Sequence, residues 1–94
     1  MRRLLPTPRF ERQLRRFVKK NPDLDKRVEQ TLAMLRTDPF APMLGTHKLK
    51  GEFYGLSACS CGYDCRIVFS LQKDPQTNEE VVLLHFVGTH DQVY

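Results

Sequence analysis

Two helical stripes come first along the chain, and strand-like runs follow. Phe10, Leu14, Phe17 and Val18 recur at i, i+4, i+7 and i+8, the spacing of one apolar helix face. Arg9, Arg12, Arg15, Arg16, Lys19 and Lys20 occupy the other faces. Thr7-Pro8 in front is a hydroxyl N-cap followed by proline at the first helical position. Asn21-Pro22 ends this helix and, by the same device, predicts the start of a second, with Leu24, Val28, Leu32 and Leu35 as its stripe. Asp23 and Asp25 in its first turn and Arg36 in its last suit the helix dipole. Asp38-Pro39 stops it, and so short a link predicts an antiparallel helical hairpin.

From Gly51 onward the period changes. Arg2 to Pro6 is a short candidate edge strand, and Asp38 to Thr46 reads as a loop. Phe53 to Cys59 predicts a strand and Ser60-Cys61-Gly62 a turn. Tyr63, Cys65, Ile67, Phe69 and Leu71 then alternate with Asp64, Arg66, Val68 and Ser70, a strand with one apolar face. Lys73 to Asn78 is a turn, and Val81 to Val87 is apolar at nearly every position, as in a central strand covered on both sides. The order predicts an α+β fold in one domain, 1–94. A helical hairpin (about 8–37) packs on one face of a small antiparallel sheet (about 52–94). Asp64 and Arg66 are left for the other face.

Charge sharpens this picture. The net charge is +4, but residues 1–50 hold 13 of the 15 Lys and Arg against 5 of the 11 Asp and Glu. The first half is therefore the electrostatic handle and favours an anionic partner. The N-terminus does not read as a signal peptide, and no apolar run is long enough to span a bilayer, so the expected setting is cytoplasmic, with no membrane partner. The three cysteines, Cys59, Cys61 and Cys65, are odd in number and crowded together, unlike a secreted disulfide scaffold. Zinc, with His85 or His90 as a fourth ligand, is one reading. Small strand residues, reduced in a cytosolic setting, are the expected one, and neither metal nor cofactor is expected.

Candidate chemistry gathers in three places. Arg66 is the only arginine after Arg36, and a desolvated guanidinium in mid-strand needs an anion; Asp64 is the nearest candidate. His47-Lys48-Leu49-Lys50 supplies an imidazole and two cations. Gly88-Thr-His-Asp-Gln-Val-Tyr94 supplies His90 at the end of the last strand, where a side chain is held rigidly yet meets solvent. Antiparallel neighbours can bring these onto one face as proton-transfer groups beside a phosphate clamp.

Taken in order, the basic helical hairpin, Asp38-Pro39, His47-Lys-Leu-Lys-Gly51, Asp64-Cys-Arg-Ile-Val-Phe69 and Gly88 to Tyr94 resemble the RelE/ParE superfamily of bacterial toxins, and within it the YafQ-type messenger-RNA endoribonucleases. The resemblance implies a compact microbial RNase fold. It implies arrest of translation by cutting mRNA, usually on the ribosome, and neutralisation by a cognate antitoxin in a toxin–antitoxin hetero-oligomer. It puts His47, Asp64 and His90 on catalytic positions, Arg66 on the strand arginine of RelE-type members, and Tyr94 on the terminal aromatic. Lys48 and Lys50 are the accompanying substrate-binding cations. Ser60 stands where YafQ-type members can carry a further catalytic histidine. His85 matches no family site and reads as a strand histidine with a satisfied partner.

Metal-free RNA cleavage needs a base for the 2′-hydroxyl, stabilisation of the phosphorane, and an acid for the 5′-oxygen. Histidine's ordinary pKa suits either transfer. Arginine forks onto two phosphate oxygens, and an aromatic ring such as that of Tyr94 stacks on a base. The alternative is a non-enzymatic inhibitor of the ParE type, acting on DNA gyrase or another target, or a basic nucleic-acid-binding module. The polar set His47, Asp64, Arg66 and His90 discriminates, because a pure binder has no need to assemble it.

Overall fold

The proline devices at 7–8 and 21–22 act differently in the computed structural model, which describes residues 1–93. Thr7 Oγ1 accepts the Phe10 backbone N–H at 3.1 Å and opens helix α1, Pro8–Lys20. Asn21 does not open a second helix. Its side-chain amide donates backward to the Phe17 carbonyl at 3.0 Å, closing α1. Pro22–Leu24 form a 3₁₀ turn, and α2 runs Asp25–Thr37. Phe10 and Phe17 from α1 and Val28 and Leu35 from α2 are buried, with Leu14, Leu24 and Leu32 packed beside them, so the predicted stripes face the core except at Val18, which is only half-buried.

Five strands follow the order β1-β5-β4-β3-β2. They are β1 Arg3–Pro6, β2 His47–Lys48, β3 Ser57–Gly62, β4 Cys65–Lys73 and β5 Glu80–Gly88; a short helix, α3, closes with His90–Val93. The sheet is mixed rather than wholly antiparallel. β1 pairs in parallel with β5, from Arg3 opposite Val81 to Pro6 opposite Leu84. β1 and β2 carry the sheet beyond residues 52–94. The central strand is β4, not β5, and its Ile67 to Ser70 are all buried.

Two boundaries differ from the sequence expectation. β3 begins at Ser57, because Gly51 and Gly55 take positive φ of 68° and 95° and break the extended run around a 3₁₀ turn at Gly51–Phe53. β3 then continues through Ser60, Cys61 and Gly62, with a register shift between Ser60 and Gly62. The reversal falls on Tyr63-Asp64. Tyr63 is 95% exposed there instead of lying on an apolar strand face, and Asp64 adopts φ 54°, a left-handed conformation that Asp tolerates better than most residues.

The sheet has two apolar faces. On one, α1 lies over β5 and α2 over β3, enclosing Ile67, Phe69, Val82 and Leu84 with the helix residues. The other is not simply polar. Leu49, Ala58, Val68 and Val93 are buried there, with Phe53, Leu56 and Phe86 packed against them. The residues between β2 and β3, together with α3, pack against this second face.

Candidate active site

Thr89 to Gln92 build the floor of the site. Thr89 Oγ1 accepts the Gln92 N–H at 3.3 Å, and Gln92 Oε1 accepts the Thr89 N–H at 3.0 Å. This is the reciprocal capping box of a Thr-x-x-Gln sequence. Gly88 leaves room for it, since a Cβ there would sit 2.5 Å from Gln92 Oε1 and displace that side chain. The box fixes His90 as the first residue of α3. Asp64 supplies the remaining acceptor: its Oδ1 takes the His90 backbone N–H at 2.9 Å. The hairpin turn and the chain's last helix are thereby joined across 26 residues of sequence. The His90 ring is exposed, with Nδ1 3.7 Å from Asp91 Oδ1.

Arg66 does not pair with Asp64. Its Nη1 donates to the Cys65 carbonyl at 2.9 Å, the Gly62 carbonyl at 3.2 Å and Ser60 Oγ at 3.4 Å. Asp64 has turned out of the strand and faces His90 instead. All three bonds use Nη1, so Nε and Nη2 remain as a fork for an anion. Ser60, Arg66 and Gly88 are direct cross-strand partners and share the second face of the sheet.

His47 lies on this face too, opposite Ala58, but on edge strand β2. Three strand spacings, about 14 Å, separate it from β5. Its Nδ1 lies 3.2 Å from the Gly45 carbonyl. Lys48 pairs with Ser57 and points to the opposite side of the sheet edge, and Lys50 is exposed just past β2. Asp64, Arg66 and His90 are thus gathered at one end, while His47 faces them from the far edge. Tyr94 lies outside the described residues.

His85 and the three cysteines have structural roles. His85 Nε2 and Ser70 Oγ share a hydrogen bond of 2.9 Å, the satisfied partner expected of it, and burial lowers the His85 pKa. Cys61 and Cys65 form a disulfide across the hairpin that carries Asp64, in place of the expected free thiols. This removes two thiols from any zinc set. Cys59 is buried under the helices with its pKa pushed up to about 12, chiefly by desolvation, so its thiol stays protonated. Among the described residues no cluster of three or more His, Cys, Asp or Glu side chains is arranged to hold a metal ion. No helix among them is long and apolar enough to cross a membrane.

A family model described as "Bacterial toxin of type II toxin-antitoxin system, YafQ" matches residues 2–94. The chain belongs to the YafQ toxin family. Its structural neighbours agree on the fold. YafQ from E. coli strain BL21(DE3) superposes with a TM-score of 0.79 at 12% identity, covering 100% of this chain and 99% of that one. The E. coli DinJ–YafQ toxin–antitoxin complex gives 0.73 at 15% identity, covering 99% and 97%. A metal-bound toxin from Helicobacter pylori gives 0.69 at 25% identity and covers both chains fully. A search of curated proteins finds no match.

One feature of this YafQ-family site was available in the sequence without a chemical label. The Thr89-x-x-Gln92 spacing is the signal for the capping box. Ser60 became a partner of Arg66 only once β3 extended through it.

Proposed function

We propose that this YafQ-family toxin is an endoribonuclease that cuts mRNA on the ribosome without a catalytic metal, arresting translation in the cytoplasm until an antitoxin binds it. One observation carries the reading: the open fork of Arg66 lies opposite Gly88, two residues from His90, on one sheet face. A phosphodiester seated on that fork meets His90 on one side and His47 across the sheet. One imidazole takes the 2′-hydroxyl proton, and the 2′-oxygen attacks phosphorus. The P–O5′ bond breaks, and the other imidazole protonates the leaving 5′-oxygen. The products are a 2′,3′-cyclic phosphate and a 5′-hydroxyl. Arg66 holds the added charge on the non-bridging oxygens. Asp64 acts through the backbone of His90, as a positioning residue. Lys48 and Lys50 draw the polymer to the edge, and Tyr94 stacks a base.

The YafQ neighbour crystallised with DinJ supports an antitoxin of comparable kind for this chain. The test is primer extension on mRNA in a translating extract, with enough magnesium retained to keep ribosomes intact. Discrete cuts bearing cyclic phosphate, unchanged when transition metals are chelated, are expected. Intact mRNA with replication blocked would favour the ParE-type alternative, and strict dependence on an added metal at the scissile phosphate would remove the acid–base mechanism.

A further inference from the structure

A cleft of about 560 Å³ opens between α1 and the second sheet face, beside α3. Arg9, Gln13, Arg16 and Lys20 line one wall. At 100° per residue they fall within about 60° of one another, a single stripe along the helix. The opposite wall holds Phe53 and Phe86, whose rings meet edge to face at 5.9 Å. Thr89 and Gln92, which flank His90, form its end.

Three features say what fits. No carboxylate is among the described residues lining the cleft, and none of the described ion pairs uses Arg9, Arg16 or Lys20. The Arg9 guanidinium lies over the Phe86 ring, 5.2 Å from its centroid. A guanidinium so placed keeps its N–H edge for phosphate and offers a flat platform on which a base can stack. Cations alone would suit any polyanion, but cations facing aromatic platforms across a cleft suit a single strand with exposed bases. The cleft also leads directly to the helix that carries His90.

We propose that this cleft holds the single-stranded RNA adjoining the scissile phosphate, with phosphates on Arg9, Arg16 and Lys20 and a base stacked beside Phe53 and Arg9. The identity of the polymer rests on the nuclease reading above. Gln13 closes the inner wall, because its Oε1 accepts the Val87 N–H at 3.0 Å and ties α1 to β5.

The test measures binding of a fluorescent, unstructured RNA oligonucleotide to the His90→Ala protein by anisotropy across a salt series. Arg9→Gln/Arg16→Gln/Lys20→Gln removes the stripe, and Arg12→Gln/Arg15→Gln/Lys19→Gln removes the same charge from another face of α1. The stripe variant is expected to weaken binding about tenfold or more and to lower the log–log salt slope by about 2, at about 0.7 per phosphate contact. The control variant is expected to change affinity by about twofold or less. Arg16→Gln/Lys20→Gln, which leaves Arg9 on Phe86, keeps the test valid if the triple variant melts early. Equal loss in both triples would overturn the cleft. So would unchanged RNA affinity in the stripe variant, whether or not it loses antitoxin binding. If the wild-type protein cuts no RNA while the stripe-specific binding stands, the nuclease reading fails and the cleft remains.

Discussion

Asp64 holds His90 by its backbone and not by its imidazole: the carboxylate accepts the His90 N–H at 2.9 Å, leaving the ring exposed. The contact joins the β3–β4 turn to α3, so the position of His90 depends on a residue whose own left-handed φ of 54° is set by the hairpin. Asp64 needs only an acceptor oxygen for this. Asp64→Asn keeps that oxygen and is expected to retain cleavage within about fivefold. Asp64→Ala loses it and is expected to lose about 100-fold, the scale of a misplaced catalytic group. Mapping mRNA cuts with both variants checks this; equal loss in Asn and Ala would make Asp64 a proton-transfer or charge-bearing group.

Arg66 is held by Nη1 alone, and its function is assigned to the remaining fork. Arg66→Lys keeps the charge but not the planar pair of donors. Single-turnover cleavage is expected to fall about 100-fold in Arg66→Lys and at least as far in Arg66→Ala, the scale of removing one transition-state donor. Full activity in Arg66→Lys would reduce its role to general charge.

His85 gives the fold a pH dependence separate from the chemistry. Burial lowers its folded pKa below the ordinary 6.5. As pH falls through about 6.5 the unfolded chain takes up a proton that the folded protein refuses, so stability is present above that pH and declines below it. Melting temperature is expected to drop between pH 7.5 and 5.5. His85→Gln, whose amide can still bond to Ser70, is expected to flatten that part of the profile. An unchanged profile would assign the dependence elsewhere.

The helices and the last strand were legible because their apolar spacing is decided locally: Phe10, Phe17, Val28 and Leu35 are buried as their period requires. The β3–β4 hairpin was not. Gly62 looked like turn chemistry and Tyr63 like a strand aromatic, yet pairing with β4 extended β3 through Gly62 and pushed Tyr63 into the turn. That displacement separated Asp64 from Arg66 and gave each another partner. Parallel pairing of β1 with β5 and the second apolar cluster were also invisible, since both depend on contacts between residues far apart in sequence. The site residues were singled out by their chemistry, and their roles came from resemblance. Which of them meet is a matter of register, and register placed His47 on the far edge strand.

The most direct measurement is mRNA cleavage by His90→Ala beside its thermal melt. His90 is exposed and its backbone N–H survives the substitution, so stability should change by about 0.5 kcal/mol or less, a shift of roughly 2–4 °C for a domain this size. Cleavage should fall about 100- to 10,000-fold through loss of one proton-transfer group. A folded His90→Ala protein that cuts mRNA at the wild-type rate would contradict the account.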